Sequence, residues 1–220
     1  MNDSIDNLKD KIIELFKKDS NSDTKTIMVK KNENIYTYGG QGSFFLIDSG
    51  HVRVSTQTDD GKLCNIGFYA EGDFFGETGF SGEVIPEIAT ALTDSTIRRI
   101  DVIKKINKSQ HYDISHSLIA HLSQKIIIHQ NTLSSFIAFN SEKRLAYVLM
   151  MMSSEFENKK DDLSLIKNKI THQDLSHLIG TTRSRVGYFM NLFLKQGIIR
   201  KSKDCFLVVD RKRIKEYLTT

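Results

Sequence analysis

Residues 171 to 197 read Thr171-His172-Gln173-Asp174-Leu175-Ser176-His177-Leu178-Ile179-Gly180-Thr181-Thr182-Arg183-Ser184-Arg185-Val186-Gly187-Tyr188-Phe189-Met190-Asn191-Leu192-Phe193-Leu194-Lys195-Gln196-Gly197. Their spacing predicts two short helices with a tight turn between them. Thr171 can accept a hydrogen bond from a free backbone amide, and Asp174 in the first turn suits the positive end of a helix. Leu175, Leu178 and Ile179 give this helix an apolar face. Gly180 ends it, as a residue able to take positive φ. Thr181 and Thr182 make the turn, and Thr182 caps a second helix that runs to about Gln196 and stops at Gly197. The core face of that helix is Val186, Phe189, Met190, Phe193 and Leu194. At about 100° per residue, Ser184, Tyr188, Asn191 and Lys195 point the other way, with Arg183 and Arg185 flanking the start.

Two short helices joined by a glycine-containing turn, the second with a polar outer face, form a helix-turn-helix. The second helix of such a unit fits the major groove of duplex DNA, where its N-terminal residues reach base edges and arginine is the natural bidentate reader of guanine. Downstream, Ile198-Ile199-Arg200-Lys201, Ser202-Lys203-Asp204 and Phe206 to Val209 read as a β-hairpin wing whose Arg200, Lys201 and Lys203 can meet phosphates. The residues expected to face DNA are Thr171, Gln173, Thr181, Thr182, Arg183, Ser184, Arg185, Tyr188, Asn191, Lys195, Arg200 and Lys203. Any small helical domain can show two helices and a glycine; the capped ends, the polar face and the basic wing together set this stretch apart.

Charge agrees with that reading. The 220 residues carry a net charge of +4, yet residues 1–138 hold 15 Lys and Arg against 18 Asp and Glu, and residues 139–220 hold 16 against 9. A basic segment beside an acidic one suggests two domains, one of them facing an anionic polymer; clustering on solvated faces is the alternative. No apolar run approaches the ~18–20 residues of a membrane span, so no membrane partner is expected. The start, Met1 to Asp6, is polar and acidic and does not read as a signal peptide. Two cysteines, Cys64 and Cys205, are too far apart in sequence for a metal-ligand pair or a disulfide framework. A reduced, cytoplasmic protein is expected.

Upstream, residues 4–18 read as a short amphipathic helix and 19–26 as a polar linker. From Ile27 to Ile103 short β-rich runs alternate with turn signals: Ile27–Val29, Ile35–Tyr36, Phe44–Ile47, His51–Thr56, Cys64–Tyr69, Ala89–Leu92 and Ile97–Val102. Gly39 to Gly42, Asp48 to Gly50, Asp59 to Gly61 and Glu71 to Asp73 separate them, with Asp60-Gly61 expected to make a primed hairpin turn. This texture suggests a small all-β sandwich or barrel. Residues 111–137 read as one long helix in which Tyr112, Ser115, Ile119, Leu122, Ile126, His129, Leu133 and Phe136 step by three or four. Such a seam is expected to meet a second copy; burial within a monomer is the other reading. Leu118, Ile127 and Ile137 widen the apolar face, so one side is expected to pack on the β region. Ser141 can cap a further helix carrying Leu145, Val148, Leu149 and Met152, and 153–169 read as a mostly polar connection.

At Gly50, Gly72-Asp73-Phe74-Phe75-Gly76-Glu77, Ala91-Leu92-Thr93-Asp94-Ser95, the long helix and Thr171 to Ile199, the chain resembles the Crp/Fnr family of transcription regulators over nearly its whole length. The resemblance implies an α+β fold: an N-terminal β-roll (a double-stranded β-helix, jelly-roll-like) preceded by a helix at 1–110, a long dimerisation helix at 111–139, and a C-terminal winged helix-turn-helix at 140–220. It implies a homodimer on a near-palindromic duplex operator, RNA polymerase as a further partner, and an unidentified small-molecule effector. The effector pocket would comprise Gly76, Glu77 and Thr78 with Leu122 and Ser123, and the amides of Gly76 to Thr78 can hold an anionic or polar group.

The departures restrict the signal. Members that bind a cyclic nucleotide carry an Arg-Ser pair shortly after the Gly-Glu element, the arginine meeting the cyclic phosphate. The window Gly79 to Ile88 contains no arginine and has Glu83 and Glu87, so cAMP and cGMP are not expected. The iron–sulfur branch uses an N-terminal cysteine group; with no cysteine before Cys64 the usual four ligands are missing, and no cluster is expected. Haem sensing remains an alternative, with His51, His111, His116, His121 and His129 as available axial ligands, although a lone histidine is more often hydrogen-bonded. Cys64 is a thiol-sensor alternative or a buried inert residue, and His129 in the seam either hydrogen-bonds or makes dimerisation pH-sensitive. In the second helix Arg183 matches the family and would keep a base-reading role. Ser184 and Tyr188 replace a Glu and a second Arg of many members, and Arg185 offers a substitute contact, so a different operator is implied. No metal site is expected: a cupin-type enzyme needs clustered histidines, and the β region holds only His51. No Gly-x-Ser-x-Gly or Walker A sequence suggests other catalysis. A ligand-sensing module that contacts another protein instead of DNA is the remaining alternative.

Overall fold

The computed structural model describes residues 24–37, 43–81, 86–101, 112–155, 163–166, 170–203 and 206–219. The expected helix at 4–18 and the Gly39–Gly42 turn lie outside them. The chain forms two compact units, Met1–His129 and Gln130–Thr220. The long segment expected at 111–139 is therefore shared between units, the division falling after His129.

In the first unit β1 (Thr24–Val29), β2 (Asn34–Tyr36), β3 (Ser43–Ser49), β4 (His51–Gln57), β5 (Leu63–Ala70), β6 (Phe74–Phe75), β7 (Glu87–Ala91) and β8 (Ser95–Asp101) build two antiparallel four-stranded sheets. Their orders are β1-β8-β3-β6 and β2-β7-β4-β5. Residues from both sheets form one core: Val29, Phe45, Ile47, Phe75 and Ile97 meet Val52, Val54, Ala89 and Ala91. In β4 the alternation is visible, since Val52 and Val54 are buried and Arg53 between them is not. In β3, Ser43 to Ile47 are all buried. Phe45 and Ile47 enter the inter-sheet core, while Phe44 lies edge-on to the ring of His121, which belongs to α1 (Tyr112–Ala138). A strand covered on both faces loses the period-two signal.

Several expectations change. The linker ends earlier than residue 26, because Thr24 to Thr26 pair with Arg98 to Ile100. The Asp60-Gly61 primed turn does not form. Among the described residues only Asn32 and glycines have positive φ, so Asp60 is excluded from the conformation a type I′ turn needs. Instead Gly61 N–H donates to Thr58 O and Thr58 N–H to Lys62 O, a three-residue loop closed by one glycine. Phe74–Phe75, too short to carry a pattern, adds a strand beside β3.

The second unit contains the end of α1, then α2 (Ser141–Met152), β9 (Ser154–Glu155), β10 (Leu163–Ile166), α3 (His172–Ile179), α4 (Arg183–Lys195), β11 (Ile199–Arg200), β12 (Leu207–Asp210) and α5 (Arg211–Thr219). The sheet order is β11-β12-β10-β9, antiparallel throughout. Leu145 and Leu149 of α2, Leu175 and Ile179 of α3, Val186 and Phe193 of α4, Ile199, Val209 and Ile214 are all buried. The cap of α2 is Asn140, not Ser141: its Oδ1 accepts from the amides of Glu142 and Lys143 at 3.1 and 3.0 Å. Both residue types cap well, and adjacency hid which one does. The connection expected at 153–169 holds β9 and β10, which pair with each other, and β10 also pairs with β12, more than forty residues downstream. At the end of α1, Arg144 donates to the carbonyls of Phe136 and Phe139, supplying a cation and donors where helix carbonyls lack partners.

Candidate nucleic-acid interface and effector pocket

The two-helix unit is fixed by local bonds. Thr171 is extended (φ −77°, ψ 156°); its Oγ1 accepts from Asp174 N at 3.0 Å, and the Asp174 carboxylate accepts from Thr171 N and Oγ1, closing a capping box. Gly180 takes the left-handed conformation (φ 68°, ψ 46°) and donates back to Ser176 O. Thr182 caps α4, accepting from Arg185 N, and its hydroxyl lies 3.1 Å from that of Ser184. These caps set where α4 begins and so which residues stand at its exposed start.

On α4, Val186, Phe189, Met190 and Phe193 are buried, whereas Arg183, Ser184, Arg185, Tyr188, Asn191 and Lys195 are exposed. Leu194, expected in the core, is half-buried. The Arg185 guanidinium sits over the Phe189 ring at 5.6 Å and the Tyr188 ring lies edge-on to Phe189, which limits the freedom of both outer side chains. Gly187 lets α3 approach: an added Cβ would lie 3.4 Å from His172 Nδ1. Thr171 and Gln173 are exposed, Thr181 half-buried, and the Gln173 amide is hydrogen-bonded to His177 Nε2 on the next turn. In the wing Arg200, Lys201 and Lys203 are exposed; Asp204 and Cys205 lie outside the described residues. Sequence reasoning missed Arg213. It donates from Nη1 to Gln196 O at 2.9 Å and from its amide to Asp210 Oδ1 at 3.0 Å, tying the end of α4 to the strand that carries the wing.

The Gly76-Glu77-Thr78 segment enters a 3-10 turn, Glu77–Ser81. Gly76 is closely packed, an added Cβ falling 2.8 Å from Phe45 Cδ2. Glu77 Oε1 meets His121 Nε2 at 2.9 Å and Lys125 Nζ at 3.2 Å, both from α1. The Lys125 ammonium also reaches the Tyr69 hydroxyl at 3.4 Å and lies 4.4 Å from that ring's centroid. His121 is packed edge-on between Phe44 and Phe74. Thr78 Oγ1 donates to Glu87 Oε2 at 3.1 Å, and the Tyr36 hydroxyl donates to the other oxygen. Of the α1 residues expected here, Leu122 is half-buried and Ser123 is exposed. His121 and Lys125, one turn apart, make the polar contacts instead. Burial pushes the Glu77 carboxyl up, but the His121 hydrogen bond and the Lys125 charge outweigh it and hold it below the ordinary glutamate value. Burial likewise opposes the Lys125 charge, and Tyr69 and Glu77 overturn this, leaving its pKa raised. Burial raises the Tyr69 hydroxyl and, with the Glu87 charge and hydrogen bond added, that of Tyr36.

These contacts do not suit a cyclic phosphate. An anion entering beside Thr78 would meet the buried Glu87 carboxylate, and no arginine is present between residues 79 and 88. Among the described residues no group of three His, Cys, Asp or Glu could hold a metal ion. Cys64 is half-buried in β5.

Along α1 the seam residues Ile119, Ile126 and Leu133 are 64%, 56% and 62% exposed, and His129 is exposed too. Ser115, Leu122 and Phe136 are half-buried, and the Tyr112 side chain lies outside what is described. Leu118 is half-buried, but Ile127 and Ile137 are exposed and do not widen a buried face. Among the described residues of α1 the buried positions are His121 and Ser135. No helix among the described residues is long and apolar enough to cross a membrane.

Comparison with known proteins matches residues 26–104 to the family model described as cyclic nucleotide-binding domain, and residues 143–217 to the Crp-like helix-turn-helix domain. Electron transport regulator A of Shewanella oneidensis is 23% identical over 189 residues, covering 84% of this chain and 75% of that protein. A CRP-like cAMP-activated global transcriptional regulator of Mycobacterium tuberculosis is 22% identical over 188 residues, covering 84% of each. The solved structure of FixK2 from Bradyrhizobium japonicum shares the fold, with a TM-score of 0.74 at 19% identity over 88% of this chain and 96% of that one. Both domains occur in the order in which the strands, long helix and capped helix pair were found, and the chain belongs to the Crp/Fnr family of DNA-binding transcription regulators.

Proposed function

We propose that the chain is a homodimeric, sequence-specific regulator that reads a near-palindromic operator with α4 and does not use cAMP or cGMP as its signal. The observation that carries this is the outer face of α4: Arg183, Ser184, Arg185, Tyr188, Asn191 and Lys195 stand exposed on a helix capped at Thr182, beside a basic wing. A second copy would pair along Ile119, Ile126 and Leu133, which recur every seven residues. Two-fold symmetry then requires half-sites about 34–36 Å apart. Ser184 and Tyr188 give the reading face its own base preference. The test is a footprint on DNA upstream of the gene together with a salt titration. Two protected half-sites and a steep negative slope of affinity with salt are expected. In the same assay Arg183→Ala costs ~1–3 kcal/mol and relaxes one base position, while Lys203→Ala weakens all sequences alike. Sequence-blind binding without half-sites would overturn the reading, and uniform loss for Arg183→Ala would remove that residue as a base reader.

A further inference from the structure

Glu77 and Thr78, the polar side chains of the turn expected to receive an effector, are already engaged with the chain itself. Glu77 is bonded by His121 and Lys125, Thr78 by Glu87, and the space over Gly76 is filled by Phe45. Glu87 in turn accepts from Tyr36 and Thr78, so both of its oxygens have donors. The Glu77 and Lys125 side chains are only 16% and 22% exposed, which separates this pair from ordinary surface ion pairs. Lys125 and His121 stand four residues apart on one face of α1, and together with Phe44, Phe74 and Tyr69 they fasten that helix to the strands. All of these residues lie within the first compact unit.

Resting on the proposed function, we propose that this pocket is self-liganded: the Lys125 ammonium and His121 imidazole occupy Glu77 in place of an effector, and operator binding requires no small molecule. A ligand shifts a conformational equilibrium only by binding one state better than the other. Here the bonds that a bridging ligand would make between α1 and the 3-10 turn are made by side chains. An incoming anion would lose the ammonium to Glu77 and face Glu87, and an incoming cation would have to displace a tethered lysine. Lys125 acts as a positioning residue: it holds α1 against the strands and touches no DNA in this scheme.

The test uses full-length protein, extensively dialysed, and duplex sequences selected from a random pool. Selection is run with the protein alone, with cAMP, and with a deproteinised small-molecule extract of the source cells. The protein alone should enrich a two-fold symmetric site, and neither addition should change its affinity more than about twofold. Lys125→Met should lower affinity for that site about tenfold or more, a normal size for coupling between sites. Lys125→Arg should restore most of it. Lys125→Met strands a buried carboxylate, so the neutral pair Glu77→Gln with Lys125→Met is made as well. It should keep native circular dichroism and still lose ligand-free binding. Enrichment of a symmetric site only in the presence of cAMP or extract would overturn the self-liganded pocket while leaving the DNA-binding reading intact. So would unchanged affinity in both Lys125→Met and the double variant Glu77→Gln with Lys125→Met. Failure to enrich any site under all three conditions would overturn both.

Discussion

The capping box at the start of α3 gives a local prediction whose size follows from three bonds. Thr171→Ala removes the acceptor of the Asp174 amide, at 3.0 Å, and the hydroxyl donor to the Asp174 carboxylate, at 2.6 Å. The carboxylate keeps only the longer bond from Thr171 N, at 3.3 Å, among these three. Loss of a threonine cap costs about 1 kcal/mol. Loss of a donor to a buried carboxylate adds up to ~1.5 kcal/mol, the lower end for charge-assisted bonds, because Thr171 itself is exposed and water replaces part of it. The total is about 2 kcal/mol, on a helix of eight residues that has little stability of its own. Hydrogen exchange read by mass spectrometry over peptides spanning 172–179 should therefore speed up about 30-fold, at 1.4 kcal/mol per tenfold. Thr171→Ser keeps both bonds and should stay close to the parent. Asp174→Ala should cost a similar amount, and the double variant should cost clearly less than the two singles added, because they share bonds. Acceleration below about threefold in Thr171→Ala, or strict additivity, would refute the reciprocal cap as the source of order in α3.

Three further perturbations test other parts. Gly50→Ala places a Cβ 2.2 Å from Ser95 Oγ and 2.8 Å from the Asp94 carbonyl at φ +97°, whereas Gly180→Ala at φ +68° meets nothing within 4 Å. Urea unfolding should show about 1 kcal/mol lost at Gly180 and ~3 kcal/mol or more at Gly50, and equal losses would contradict the close approach at Gly50. Ile126→Glu, on the exposed stripe of α1, should leave the circular dichroism unchanged and convert the proposed dimer to monomer in sedimentation velocity; a persisting dimer would move the interface elsewhere. Glu77 has a depressed pKa when folded, so its contribution to stability is present above the ordinary glutamate range and is lost as pH falls through the folded value. Lys125 has a raised one, so its contribution is present below the ordinary lysine value and is lost as pH rises through the folded value. The stability gap between the parent and Glu77→Gln should be widest at neutral pH and shrink below about pH 4 and above about pH 10.5; a flat gap across that span would contradict the ion pair.

The capped helix pair was readable from residues alone because its determinants are local. A cap acts over three residues, as between Thr171 and Asp174, and a left-handed helix end needs one glycine, Gly180. A helical period then assigns Val186, Phe189 and Phe193 inward and Arg183, Tyr188 and Lys195 outward without knowledge of the rest of the chain. Most strands of the first unit were legible for the same reason, through alternation and glycine turns. The strands that were missed, Phe74–Phe75, Ser154–Glu155 and Leu163–Ile166, are short, and the first and last of them owe their form to partners distant in sequence.

The pocket shows the opposite case. Sequence position and resemblance pointed to Gly76, Glu77 and Thr78, and these residues do cluster at the 3-10 turn. What engages Glu77 could not be read, because His121 and Lys125 lie 44 and 48 residues farther on and look like ordinary polar positions of a long helix. Packing of α1 over Phe44 and Phe74 turns that face of the helix inward, so that His121 and Lys125 meet a carboxylate instead of water. The sequence by itself determined the capped helix pair, its basic outer face and the order of the domains, since hydrogen bonds within a few residues and helical periodicity set them. The tertiary structure alone decided that Glu77 is neutralised from within, since only the folded chain brings an ammonium and a carboxylate so distant in sequence to 3.2 Å.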